Sequence, residues 1–185
     1  MISAVAEEGY ATATVAHVVA RARVSRKAFY DHFSGLESCF LTALDAAQQV
    51  IAKELTGAPR DPSAADPSLA VLRGGLRAYL ALCAREPEYA RCIFIELPAA
   101  GPRAVRGRDR GHRMVADLLR RWRERAAARH PEWRPVPDEC HLAAVGAVAE
   151  LVTAHVARGE TERLPALHGV MTGIVLRVLD APIPD

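Results

Sequence analysis

Cationic side chains that could bind an anion are concentrated between residues 14 and 33. This segment holds four cations and one carboxylate, a net charge of +3, whereas all 185 residues together carry a formal charge of +2. Guanidinium and ammonium groups bind phosphate, and arginine also pairs with guanine through two parallel hydrogen bonds. The segment is therefore a candidate nucleic-acid contact, with an ordinary solvated surface as the alternative. The charged residues are Arg21, Arg23, Arg26, Lys27 and Asp31.

Two short helices are predicted to position these side chains. Apolar residues recur at helical spacing on one face of each: Val15, Val18, Val19, Ala28, Phe29 and Phe33. Thr12 or Thr14 can cap the first helix, and Ser25 can cap the second. About three residues, 23–25, remain for the connection. Two helices joined in this way are typical of a helix-turn-helix.

The outward residues of the second helix are the chemically active ones. Arg26 and Lys27 lie in its first turn, the part of the motif that meets base edges in the major groove. Arg26 can read guanine, and Lys27 can reach a base or a phosphate. Tyr30 and His32 follow, as backbone contacts or as packing residues. These positions predict that the second helix reads double-stranded DNA.

The same segment resembles the N-terminal signature of the tetracycline-repressor (TetR) family in order and spacing. The matching positions are Gly9, Tyr10, Thr14, Val15, Ala20, Val24, Ser25, Arg26, Phe29, Tyr30, His32, Phe33, Glu37 and Phe40. The resemblance implies an all-α fold, with an N-terminal three-helix helix-turn-helix domain (1–45) and a C-terminal helical ligand-binding and dimerisation domain (46–185). It also implies a transcriptional regulator, most often a ligand-responsive repressor that binds a pseudopalindromic operator as a homodimer.

The resemblance also assigns DNA contacts to individual residues. Arg26 and Lys27 would face bases. Backbone contacts would come from Thr14, Ser25, Tyr30 and His32. Ser25 would have two roles, since it caps the recognition helix and lies near a phosphate.

Three departures from the family pattern bear on the strength of DNA binding. Arg23 stands where glycine is usual, at a cost on the order of 1 kcal/mol if the backbone there is left-handed, which a phosphate contact by Arg23 would offset. Leu36 replaces a usual phosphate-binding lysine. The first helix, predicted at Ile2–Glu8, lacks about two turns and a basic leader, so either translation starts upstream or the chain has been shortened.

Helical periodicity predicts six further helices after the motif. Their expected ranges are 36–55, 68–85, 87–97, 103–130, 138–158 and 165–179, and a loop rich in glycine and proline is expected at 57–67. The last two helices are poor in charge and should be buried on more than one side. They match the family's dimer interface, although an ordinary core is the alternative. Gly146, Gly169 and Gly173 predict close helix approach there.

An unknown small-molecule effector is expected between the helices of 68–97 and 103–129. The candidate lining residues are Tyr79, Cys83, Phe94 and Met114, with core packing as the alternative for each. Residues 103–129 hold ten arginines against three acidic residues. That surplus suits an acidic effector or an acidic partner, although a solvated helix face is the more ordinary explanation.

Other functional classes find little support in the sequence. It has no nucleophile elbow, phosphate-binding glycine loop, metal-spaced histidine cluster or paired catalytic carboxylates, so we expect no enzyme, cofactor or metal. The four cysteines are scattered, which favours reduced thiols. Neither a signal peptide nor an apolar run of 18 residues is present, which predicts a cytoplasmic protein without a membrane segment. A helical sensor or protein-interaction module with weakened DNA binding is the runner-up.

Overall fold

The computed structural model describes residues 1–58 and 63–181, and within these ranges the chain is entirely helical, with no β-strand. The predicted all-α class is confirmed. The α-helices are α1 (Ile2–Glu8), α2 (Val15–Ala22), α3 (Arg26–His32), α4 (Leu36–Gly57), α5 (Pro67–Arg85), α6 (Pro87–Arg91), α7 (Pro102–Ala127), α8 (Asp138–Ala157) and α9 (His168–Val178). A π-helical turn occupies Cys92–Glu96, and 3-10 helices occupy Leu97–Ala100 and Thr161–Leu167.

Side-chain caps set the beginnings of three helices. The Thr14 hydroxyl accepts a hydrogen bond from the His17 N–H at 3.3 Å, and the Ser25 hydroxyl accepts one from Ala28 at 3.0 Å. Asp66 caps α5 by accepting from two backbone N–H groups, at 2.8 and 3.0 Å. Each such cap is worth about 1 kcal/mol. Of the two predicted caps for α2, Thr14 is confirmed.

Two predicted helices differ from the observed ones. The helix expected over 87–97 is α-helical only to Arg91, after which the chain widens into the π-helical turn. The helix expected from Pro165 begins at His168, because Pro165 lies within the 3-10 helix before it. Part of the loop predicted at 57–67 lies outside the described residues.

Three buried clusters hold the helices together. The smallest forms the core of the N-terminal helices, around Val18, Val19 and Phe29. A second joins α1 and α4 to the π-helical turn, and the largest unites α5, α7, α8 and α9. Because α4 is continuous from Leu36 to Gly57, the boundary predicted at residue 45 falls inside a helix that both parts share.

Three glycines allow helices to approach closely. A Cβ atom at Gly75 would lie 2.8 Å from the Leu55 carbonyl oxygen, so α5 needs glycine where it meets α4. At Gly107 and Gly111, a Cβ atom would meet Leu44 and Gln48 of α4 at 2.7 and 2.8 Å. These three positions bring α4 against α5 and α7.

The glycines singled out in the sequence do not play this role within one chain. A Cβ atom at Gly146 or Gly169 would meet nothing within 4 Å, and at Gly173 only the Arg177 guanidinium, at 3.4 Å. The three glycines lie on faces of α8 and α9 that point away from the core. The prediction of close approach at these positions is therefore not met inside the monomer.

Helices α8 and α9 bury one face each, rather than the several faces predicted. The buried residues of α8 recur at helical spacing: His141, Ala144, Val148, Val152 and Val156. By length and composition, α8 is the one helix in the described part of the chain that could cross a membrane, with a mean hydropathy of 1.5, and 33% of that stretch is buried. Its apolar outer face is thus left uncovered by the chain itself.

Candidate DNA interface and effector cavity

The predicted helix-turn-helix is present as α2 and α3. The turn between them depends on Arg23, whose backbone is left-handed, with φ 55° and ψ 41°. In this conformation the N–H of Val24 reaches the Val19 carbonyl at 3.1 Å and closes α2. Phe29 is buried beneath α3, whereas Tyr30 is 57% exposed. The arrangement presents the outer face of α3 to solvent.

The four cations of the motif differ in their surroundings. Arg21 forms an ion pair with Glu7 of α1, and Lys27 lies 3.7 Å from Asp31 one turn along α3. Among the described residues, no carboxylate lies within ion-pair distance of Arg23 or Arg26. These two guanidinium groups are therefore the cations free to meet phosphates and bases, one at the turn and one at the start of α3. His32 and Lys27 are exposed on the same short helix.

Leu36 has a structural role at the position where the family pattern expects a lysine. Its side chain packs against both N-terminal buried clusters, between α1 and α4. The start of α4 is instead closed by Ser38, whose hydroxyl accepts from the Gly35 N–H at 3.2 Å and donates to the Gly35 carbonyl at 2.9 Å. The first turn of α4 itself carries no cationic side chain, and the cation beside it is Arg103 of α7, which pairs with Glu37 at 3.6 Å.

Arg23→Gly is expected to raise stability and weaken DNA binding together. Glycine adopts the left-handed conformation without strain, so the free energy of unfolding should rise by up to about 1 kcal/mol. Loss of a phosphate contact should weaken binding to all DNA sequences alike and reduce the salt slope by about 1. Thermal unfolding and salt-dependent binding measure the two effects.

Arg23→Lys is the matched control, because it keeps the charge and the strain. It should bind DNA nearly as the parent does, without the gain in stability. If Arg23→Gly left both affinity and salt slope unchanged, Arg23 would have no phosphate contact.

A cavity of about 410 Å³ lies inside the C-terminal part, between α4, α5, α7 and α8. The π-helical turn closes it through Ile93 and Phe94. Three of the four predicted lining residues, Tyr79, Phe94 and Met114, lie in its wall.

Cys83 is the exception and does not line this cavity. Its thiol lies behind Tyr79, to which it is hydrogen-bonded, and burial raises its pKa to about 12. Cys83 is 1% exposed and packs in the largest buried cluster, so the structure gives it the core position that the sequence had left as the alternative. A thiol with so high a pKa stays protonated and unreactive.

Sequence reasoning missed the polar part of the wall. Arg108, His112 and Arg125 of α7 line the cavity, as does Gln48 of α4. The signal was present, since Arg108, His112, Val115, Leu119 and Trp122 follow one another at helical spacing.

A short connection runs from this cavity to the helix-turn-helix. Phe94 lines the cavity, and two residues later Glu96 accepts a hydrogen bond from the backbone N–H of Tyr10 at 3.0 Å. The Tyr10 ring in turn packs edge-on against Phe40 of α4, with centroids 4.9 Å apart. Arg91 holds the Glu96 carboxylate from the other side at 3.0 Å. The loop leading into α2 is thus anchored on the π-helical turn.

Comparison with known proteins agrees with this geometry. The family model described as bacterial regulatory proteins, tetR family, matches residues 3–43. This segment is similar to the DNA-binding domain of tetR-family transcriptional regulators. The matched residues span α1 to α3 and the first third of α4, as the resemblance predicted. No match was found among curated proteins.

Two solved structures share the whole fold of this regulator. One is described as fatty acid degradation regulator FadR from Bacillus halodurans, with a TM-score of 0.74 and 18% identity, covering 95% of this chain and 93% of that one. The other is a tetR-family regulatory protein from Rhodococcus RHA1, with a TM-score of 0.68 and 19% identity over 98% and 94% of the two chains. At these identities the likeness concerns the fold alone.

Proposed function

We propose that this protein is a ligand-responsive repressor that binds a pseudopalindromic DNA operator as a homodimer in the cytoplasm. The observation that carries the proposal is the capped, solvent-facing α3: within residues 1–58 and 63–181, no carboxylate pairs with Arg26 in its first turn or with Arg23 at the turn before it. Arg26 and Lys27 would read bases, and Thr14, Arg23, Ser25, Tyr30 and His32 would contact the backbone. Occupation of a promoter then blocks transcription, and an effector relieves it.

The homodimer is supported by the uncovered outer faces of α8 and α9. They consist mainly of small and apolar residues: Leu142, Ala143, Gly146, Ala147, Ala154, Gly169, Val170 and Gly173. Val170 is 60% exposed in the single chain. Exposed apolar surface of this kind is typical of a protein interface, and glycine lets partner helices approach closely. Two such helices from each subunit would form a four-helix bundle.

The cavity is the proposed effector site. Its volume falls within the range of about 300–1,000 Å³ usual for small-molecule pockets, and its wall is mostly apolar. The FadR structure with the same fold is described as a regulator of fatty acid degradation. We infer for this chain a largely apolar effector held between α4, α5, α7 and α8.

Effector binding would act on DNA binding through the π-helical turn. A ligand that displaces Phe94 also moves Glu96, and with it the hydrogen bond to Tyr10 at the entrance to α2. Because a ligand shifts an equilibrium only by binding the two states differently, the DNA-bound arrangement must be the one the ligand disfavours. The two recognition helices would then leave the separation of about 34 Å that one DNA turn requires.

Glu96→Ala is expected to loosen this connection without any effector. The Tyr10 amide loses its acceptor, so its hydrogen exchange should become at least several-fold faster. Glu96→Gln keeps an accepting oxygen and should restore slow exchange, and Arg91→Ala, which removes only the ion pair, should change it little. Equal exchange in the parent and Glu96→Ala would show that the hydrogen bond does not hold the loop.

A salt-dependent gel shift tests the proposed function directly. The purified protein is titrated onto the DNA upstream of its own gene and onto a random fragment of equal length, between low and physiological salt. We expect tighter binding to the upstream fragment and a steep loss of affinity with salt, because phosphate contacts release counterions. Failure to bind either DNA at low salt would overturn the proposal in favour of a helical sensor or protein-interaction module.

A further inference from the structure

The charges around the cavity are all of one sign. Its charged lining residues are Arg108 and Arg125, with His112 between them, and none of the residues in its described wall is acidic. The rest of the wall is mostly aliphatic or aromatic. A guanidinium beside an apolar cavity attracts an anion and repels a cation, and the low dielectric strengthens both effects. The wall is therefore suited to an apolar molecule with an anionic group.

The stretch of α7 that lines the cavity is long. Arg108 and Arg125 both line it and are seventeen residues apart, which places their backbones about 26 Å apart along the helix axis. A ligand that contacts both ends of this stretch within a volume of about 410 Å³ must be extended rather than a broad ring system.

The polar groups differ between the two ends. Near Arg108, the His112 ring one turn along makes no hydrogen bond within the described residues, and the Gln48 amide donates to the Gly107 carbonyl at 2.7 Å. Near Arg125, the indole N–H of Trp122 and the hydroxyl of Thr56 are already bonded to carbonyl oxygens, each at 2.8 Å. Arg125 is exposed and has no ion pair among the described residues, but its neighbours offer no further free donor. In the described wall, a guanidinium and an imidazole without a hydrogen bond therefore lie together at the Arg108 end.

His112 and Arg108 can both donate hydrogen bonds to the same carboxylate. Burial, and secondarily the Arg108 cation, lower the pKa of His112, so its ring is neutral at pH 7 and donates through one N–H. Arg108 bonds only to Asp109, through Nε and Nη2 at 3.3 and 3.1 Å. Both members of this pair are 41% exposed. Such a pair is weak, and an incoming carboxylate can replace Asp109 on the guanidinium.

We propose that the effector is a long unbranched carboxylic acid whose carboxylate is bound by Arg108 and His112, with its apolar chain running along α7 toward Trp122. This inference rests on the proposed role of the cavity as effector site and specifies its ligand. It also gives one of the many arginines of α7 a function, while the exposed ones remain on the solvated face.

Binding of three probes of equal chain length tests the charge requirement. Hexadecanoate, hexadecanol and hexadecyltrimethylammonium are titrated at low micromolar concentration into the full chain, and binding is followed by calorimetry and by tryptophan fluorescence, to which Trp122 and Trp133 both contribute. We expect hexadecanoate to bind, hexadecanol to bind at least tenfold more weakly, and the ammonium compound not to bind. Octanoate, which is too short to reach from Arg108 to Trp122, should bind more weakly than hexadecanoate.

Variants locate the carboxylate. Arg108→Ala should weaken hexadecanoate binding by about 10- to 150-fold, as expected for loss of a charge-assisted contact. Arg108→Gln keeps a hydrogen-bond donor without the charge, so its affinity for hexadecanoate should lie between those of the parent and Arg108→Ala. Arg113→Ala removes an exposed cation of the same helix that does not line the cavity and should bind like the parent. Asp109→Asn should tighten binding, because it removes the competing carboxylate.

The outcomes separate this inference from the proposed function. Equal binding of hexadecanol and hexadecanoate would show that the ligand needs no anionic group. If Arg125→Ala weakened hexadecanoate binding and Arg108→Ala did not, the carboxylate would lie at Arg125 instead of Arg108. If hexadecanoate does not bind while the gel shift shows operator binding, the ligand assignment is wrong and the repressor stands. If hexadecanoate binds but DNA does not, the ligand assignment stands and the proposed repressor function is wrong.

Discussion

Gly146→Arg is expected to convert the regulator into a monomer that has lost most of its affinity for the operator. The substitution places a long charged side chain in the middle of the outer face of α8, where its bulk prevents a second copy from packing closely, even with Glu150 one turn along the helix to pair with the charge. Since a Cβ atom at Gly146 meets nothing within 4 Å, the monomer itself should fold normally. With one recognition helix instead of two, operator affinity should fall by about 10²- to 10⁴-fold.

Analytical ultracentrifugation and gel shifts on the same samples measure this prediction. Gly57→Arg is the matched control, because Gly57 is also a helical glycine with open space around its Cβ position, but lies at the end of α4. This control should remain dimeric and bind DNA like the parent. A Gly146→Arg protein that stays dimeric would place the interface elsewhere than on the outer faces of α8 and α9.

Arg26→Ala should cost about 1–3 kcal/mol of operator binding, or about 5- to 150-fold in affinity, and should relax base preference. Arg26 has no carboxylate partner among the described residues, so its guanidinium is available for a guanine in the major groove. Stability should change little, because Arg26 is exposed and the Ser25 cap is unaffected. Binding curves on the operator and on operators with single base changes provide the measurement.

Tyr30→Phe is the comparison that separates base reading from backbone contact. Tyr30 is exposed and its ring rests edge-on against Phe29 at 5.3 Å, so removal of the hydroxyl keeps the packing. Affinity should then drop by a similar factor on operator and random DNA. If Arg26→Ala also lost affinity equally on both, the base-reading role of Arg26 would be refuted.

The helix-turn-helix was predictable because its determinants are local. A cap such as Thr14 or Ser25 bonds to an N–H three residues away, and the left-handed Arg23 is imposed by a turn of three residues. The boundaries of α2 and α3 follow from these short-range interactions and from the apolar spacing of each helix. The exposed side chains of α3, which we propose as DNA contacts, were therefore placed correctly on its outer face from the sequence.

The cavity and its connection to α2 were not predictable in the same way. Helical periodicity indicates which face of a helix is apolar, but not which helix it meets, so Cys83 was assigned to the wall and Arg108 was not. The same limit explains why Gly75 and Gly111, rather than Gly146, permit close approach within the chain.

The sequence alone thus determined that the chain is all-helical and where its recognition helix begins, and it predicted which side chains of that helix face outward. Tertiary structure alone decided which cations remain unpaired, because Arg21 meets Glu7 only when α1 packs on α2. It also decided that the charged residues lining the cavity are cations, and it brought Glu96 into contact with Tyr10, 86 residues away. The physical reason is that a hydrogen bond within one turn depends on neighbouring residues, whereas a contact across the fold depends on the packing of every helix between.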